Sequence, residues 1–249
     1  MRFLKALPVL TVLLSLVLGF GIPGAAADDL ATEEEESIPE EVGEDRLPDS
    51  FFDDALFIGD SLTGSLGTYN LLNGGLGDAI VFHMNGLACH HLIQQNKQIY
   101  FMGESCSVER AAAKAGVNKL FLMLAMNDIG APLEDLQYCW ETLLERLRET
   151  CPELTVYIQS GTPLRTDDFY FTRDNMDAYN EMLQAVCEAY DCVYVDITEG
   201  LEDEEGYMKK EYQLDNVHLN PEGCAIWMEN LHRASCYSQP VTVDSALEP

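Results

Sequence analysis

A three-layer α/β/α sandwich around a five-stranded parallel sheet is the fold this 249-residue chain predicts. Two observations lead there. Five short apolar runs alternate with segments whose apolar residues recur at helical spacing, the pattern of strands joined through covering helices. Composition supplies the material, since 47% of residues are hydrophobic and 23% charged, enough for a sizeable core under a charged surface.

The elements follow in order. ALFI at 55–58 reads as a first strand, and a helix over 62–71 comes after it. A second strand is expected at 80–84, and Ser107 is placed to cap a helix running to Ala115. KLFLML at 119–124 makes a third, buried strand. Pro132 opens a helix to Thr150, with Leu136, Trp140, Leu143, Leu144 and Leu147 on one face. TVYIQ at 155–159 is the fourth strand. A helix over 175–190 carries the stripe Met176, Tyr179, Met182, Leu183 and Val186. VYVDI at 193–197 is the fifth strand. Asn220 as N-cap and Pro221 at the first helical position open a last helix to about Ala234.

The two ends stand outside this alternation. Arg2 and Lys5 precede an apolar run to Phe20, then the breakers Gly21, Pro23 and Gly24 and three alanines. That order reads as a secretory signal peptide over 1–27, cleaved before Asp28, because the run is short for a membrane span. Residues 28–49, with TEEEESIPEEVGED at their heart, read as an acidic solvated linker, and 240–249 as a flexible tail. The main domain is therefore 50–239. No cysteine sits near the cleavage point and LPDS at 47–50 lacks the pattern of a cell-wall sorting signal, so export and release are expected, without stable membrane association.

Formal net charge is −29. Such a surface repels phosphate backbones, which excludes nucleic acid as a partner and disfavours anionic membranes. The eight cysteines leave disulfide pairing open, and Cys139, Cys187 and Cys192 lie in apolar patterns that suit core thiols.

Polar residues at the strand ends carry the chemistry. In an open parallel sheet, sites form outside the carboxyl ends of the strands. Ser61 follows the first strand, Gly86 the second and Asn127 the third. If the second and third strands flank the first, these loops converge on Ser61. The ordinary alternative for Ser61 is the cap of the following helix. A serine nucleophile needs a base and a group to orient that base. Of the five histidines, His218 in LDNVHLNPEG has the best setting, with Asp215 three residues earlier. The backbone N–H groups of Ser61 and Gly86 and the Asn127 amide are available as oxyanion donors. Gly86 leaves close approach unobstructed. Asp60 and Asp128 read as structural, Asp128 as an organiser of its loop. HMNGLACHH at 83–91 suits a closed metal site poorly, because adjacent histidines do not span a tetrahedron. In the loop 160–175, Phe169, Tyr170 and Phe171 suggest a substrate wall, and Arg165 or Arg173 an anion contact.

GDSL at 59–62, Gly86, Asn127-Asp128 and DNVH ending at His218 resemble the four sequence blocks of the SGNH/GDSL hydrolase superfamily, in its order. The resemblance implies a flavodoxin-like fold, hydrolysis of esters without a metal or other cofactor, and roles by position. Ser61 would be the nucleophile, His218 the base and Asp215 its orienter, with Ser61, Gly86 and Asn127 forming the oxyanion hole. The third block departs from the usual Gly-x-Asn-Asp, because Ala125 replaces the glycine, a change expected to narrow the pocket at most. Implied partners are small-molecule or glycan esters, with O-acetyl on a glycan one substrate of that class. Lipase or thioesterase action, acyl transfer on the same triad, and a non-catalytic glycan-binding module are the alternatives.

Overall fold

A computed structural model describes residues 46–169 and 171–237. Strands β1 (Ala55–Gly59), β2 (Ile80–His83), β5 (Lys119–Met123), β6 (Thr155–Gln159) and β7 (Val193–Val195) form one sheet. Its order is β2-β1-β5-β6-β7, and every pair is parallel. Helices α1 (Ser61–Asn73), α2 (Cys89–Ile93), α3 (Val108–Ala115), α4 (Leu133–Thr150), α5 (Arg173–Ala189) and α6 (Pro221–Tyr237) cover it. This is the expected three-layer α/β/α fold.

The middles of the central strands are apolar at successive positions because both faces of the sheet are buried. Leu56, Ile58, Leu120, Leu122 and Ile158 face the layer that holds Trp140, Leu143, Leu147 and Leu183 from α4 and α5. Their neighbours Phe57, Phe121 and Tyr157 point the other way, toward Leu62 and Leu66 of α1 and Trp227 and Leu231 of α6. These three aromatic rings stack across β1, β5 and β6, with centroids 4.5 and 4.3 Å apart. Two polar bonds tie the helices into the core, Trp140 Nε1 to Tyr179 Oη at 2.8 Å and Trp227 Nε1 to Gln159 Oε1 at 2.9 Å.

Two elements go beyond the sequence reading. A hairpin of β3 (Ile99–Phe101) and β4 (Glu104–Cys106) lies apart from the main sheet. Its two-residue turn places Met102 at φ 44° and Gly103 at φ 88°, the left-handed backbone that a tight hairpin turn requires. The other is α2, only five residues long.

The sequence reading carries the solvated linker to Asp49, but its last four residues are docked. Arg46 Nε donates to Glu229 at 3.0 Å, Leu47 N donates to His232 O, and Asp49 begins a short 3-10 turn. Buried His232 holds this segment, with its ring nitrogens 2.6 and 2.8 Å from the carbonyl oxygens of Leu47 and Gly75. The expected signal peptide, the rest of the linker, Tyr170 and the tail lie outside the described residues. Among the described residues, no helix is long and apolar enough to cross a membrane.

Candidate active site

The strand order puts β1 between β2 and β5, so the carboxyl ends of these three strands share one edge. Gly59 closes β1. A Cβ there would lie 2.0 Å from Thr63 Oγ1 and 2.6 Å from Met123 O, so only glycine lets α1 start this close to β5. Asp60 is the N-cap, accepting from Leu62 N at 2.9 Å. Ser61 is thus the first helical residue and is relieved of the capping role that the ordinary alternative gave it. Its N–H lies in the first turn, where a helix leaves its N–H groups without an intrahelical acceptor.

His218 Nε2 lies 2.8 Å from Ser61 Oγ. The loop that carries it is closed by Leu214 N donating to His218 O at 2.9 Å. Inside this loop Asp215 Oδ1 accepts from the backbone N–H groups of Val217 and His218, each at 2.9 Å. The same carboxylate meets His218 Nδ1, 2.9 Å from Oδ2 and 3.1 Å from Oδ1. The Val217 N–H first, then those of the His218 backbone and ring, hold the Asp215 carboxyl down at about 2. An ionised carboxylate only accepts, so Nδ1 carries the proton and Nε2 is left to accept from the serine hydroxyl.

The loop after β2 brings Gly86 to the same edge. Its φ is +71°, and a Cβ would meet nothing within 4 Å. Glycine is therefore required by the backbone conformation rather than by crowding. Gly86 O and His91 Nδ1 are 3.2 Å apart. Asn127 reaches across from the end of β5. Its Nδ2 donates to Asp60 Oδ2 at 2.7 Å and to Leu87 O at 3.2 Å. The amide expected to face an oxyanion thus braces the loops in this arrangement.

Behind this edge lies Asp128, almost completely buried. It accepts from Cys89 N at 2.8 Å and bonds the His90 ring, which fixes α2 and the loop that precedes it. Burial raises its carboxyl pKa. Burial also raises Asp60, to about 6, against the Leu62 N–H, the His218 charge and the Asn127 amide. The two adjacent histidines of block two therefore serve as braces, and among the described residues no three His, Cys, Asp or Glu side chains cluster as metal ligands.

Ala125 is buried, and its Cβ lies against Gly161, just beyond β6. Arg165, in the loop after β6, donates to Asn216 beside Asp215 at 2.9 Å, while Arg173 opens α5. Arg173 turns away to Glu205 O. Phe169 is exposed, and Phe171 packs on the α1–α6 side of the core.

The model of the GDSL-like lipase/acylhydrolase family matches residues 57–226. The chain belongs to that family. As an SGNH/GDSL fold it is also similar to a GDSL-like lipase from Bacteroides thetaiotaomicron, at 14% identity and TM-score 0.57, over 75% of this chain and 89% of that one. An acetylxylan esterase from Geobacillus stearothermophilus is similar at 16% identity and TM-score 0.53, over 72% and 92%. At these identities the likeness is one of fold. No curated protein sequence matches the chain. Family membership makes this GDSL-type chain an acylhydrolase by class.

Proposed function

We propose that the protein is an exported serine esterase that hydrolyses a small acyl ester. The supporting observation is the continuous hydrogen-bonded line from Ser61 Oγ through His218 to Asp215, beside the Gly86 loop and Asn127. In the reaction Ser61 Oγ attacks the ester carbonyl carbon while His218 Nε2 takes its proton. Asp215 holds the imidazole in the required tautomer and stabilises its charge. The N–H groups of Ser61 and Gly86 and the Asn127 amide receive the negative oxygen. His218 then gives its proton to the leaving alcohol. Water attacks the acyl-enzyme with His218 again as base, releasing the acid and restoring Ser61.

An O-acetyl group on a glycan is one substrate of this class. The signal-like leader supports export, with Asp28 as the mature N-terminus. The negative surface favours neutral or cationic partners over nucleic acid and anionic membranes.

The test is p-nitrophenyl acetate hydrolysis by the chain from Asp28 onward, beside Ser61→Ala and an enzyme-free blank. A burst that vanishes in Ser61→Ala supports the acyl-enzyme. Blank-level rates for both proteins, on this ester and on acetylated xylan, would refute the reading. N-terminal sequencing of protein recovered from the medium tests cleavage before Asp28.

A further inference from the structure

A groove of about 220 Å³ runs along α1 away from the site. One wall is the helix face bearing Ser65, Thr68 and Leu72, and the other is Leu214, Leu219 and Pro221. Ser61, Ser65, Thr68 and Leu72 are spaced by four, three and four residues, so they share one stripe of the helix. The nucleophile heads the stripe that forms the wall. At 1.5 Å per residue the stripe extends about 16 Å from Ser61.

The groove begins one turn beyond Ser61 on α1 and borders the loop that carries His218. Ser65 Oγ donates to Ser61 O at 3.3 Å, and Leu214 N donates to His218 O at 2.9 Å. Two of its polar wall residues, Ser65 and Thr68, are turned inward onto their own helix. Thr68 Oγ1 donates to Gly64 O at 2.9 Å, as Ser65 does to Ser61 O, which leaves the aliphatic parts of both side chains for the wall. Leu72 is 76% exposed and Leu214 68%, large apolar surface in a chain whose net charge is −29. The larger hollow, about 390 Å³ and bounded by Arg148, Leu154 and Cys192, opens near the amino ends of β6 and β7 instead.

We propose that the groove along α1 binds an alkyl arm of the ester substrate. This rests on the esterase reading and narrows its substrate class. A cavity of about 150 Å³ holds benzene, so this one suits an arm of roughly six to eight carbons. Each methylene buried there raises kcat/KM by roughly two- to fourfold. The arm belongs either to the acyl group or to the alcohol, and two series distinguish them. The first is p-nitrophenyl acetate, butyrate, hexanoate and octanoate. The second is ethyl, butyl, hexyl and octyl acetate.

The expected result is a rise in kcat/KM with length in one series, and the series that rises identifies the arm. Thr68→Trp fills the groove, and the ratio of longest to shortest ester then falls at least tenfold. Leu214→Asp, at an exposed loop position, is the second variant should the first fail to fold, and it lowers the same ratio. Flat series in both arms, or a ratio unchanged in both folded variants, overturn the proposal while leaving the esterase reading intact. Sedimentation as a dimer that Thr68→Trp dissociates would then assign the groove to a second copy. Absence of Ser61-dependent turnover on every ester removes the esterase reading and the subsite with it.

Discussion

Asn127 and Asp60 are joined by a 2.7 Å hydrogen bond, and the same Asp60 caps the helix that begins at Ser61. One carboxylate therefore sets both the start of α1 and the orientation of the proposed oxyanion donor. In Asp60→Asn the new side chain can still cap but presents an amide to the Asn127 amide. Turnover is expected to fall about tenfold, the worth of one hydrogen bond to a charged group. Asn127→Ala is expected to fall further, by roughly 10²–10³ in kcat. Equal kcat in wild type and Asp60→Asn would show that the brace does not act on the donor.

Asp60 also makes a signed prediction about pH. Its carboxyl is raised from 3.8 to about 6 in the fold, so the folded chain holds a proton that the unfolded chain has released. Stability referenced to Asp60→Asn should therefore decline as pH rises from about 4 to about 6, by roughly 2–3 kcal/mol. Paired urea melts of the two proteins across this range check it. A difference that is constant or grows with pH contradicts the buried, proton-retaining carboxyl.

Asp215 acts in the opposite direction and in another window. Its carboxyl is lowered from 3.8 to about 2, so its contribution is present above pH 3.8 and is lost as pH falls through about 2. In Asp215→Asn the amide can donate to Nδ1 and force the proton onto Nε2, facing Ser61. A fall of about 10⁴ in kcat is expected. Retention of a tenth of wild-type kcat would remove Asp215 from the proposed triad.

Gly86→Ala tests a backbone rather than a contact. The added methyl has room, yet φ +71° is left-handed. The cost is about 1–2 kcal/mol, a few degrees in Tm, and lower kcat as the N–H is re-aimed. A Tm equal to wild type would mean that the loop moves freely to negative φ.

Asp128→Ala removes the acceptor for Cys89 N and the His90 ring. Leaving the buried Cys89 N–H unpaired costs about 1–3 kcal/mol, and the half-buried His90 ring loses its partner as well. Calorimetry should therefore show a larger loss than for Gly86→Ala, because Asp128 anchors the whole α2 segment.

The sheet was legible because its strands carry their own evidence. Runs such as LFLM at 120–123 are apolar at every position only when helices cover both faces. The strand order assumed for convergence on Ser61 is the order found. The ends of elements were less legible. Ser61 and Asp60 are both competent caps, and only the turn geometry selects Asp60. The β3–β4 hairpin left a weak trace, with Ile99 and Phe101 buried around exposed Tyr100, too short to outweigh a loop reading. The pairing of Asp128 with His90 spans 38 residues and has no local sequence signature. Ala125 looked like a pocket residue because its block borders the site, yet side-chain direction turned its methyl into the interior.

The seven described cysteines are all free, and burial leads in raising each of their thiol pKa values, Cys192 and Cys224 to about 11. At neutral pH they are held protonated and are poor nucleophiles. A single Ser61→Cys exchange would set a thiol beside the His218 imidazole, the setting that favours thiolate. Alkylating probes would then discriminate position 61 from these seven by reactivity alone. Among the described residues, this sulfur chemistry leaves position 61 addressable as a selective attachment point for a reporter group.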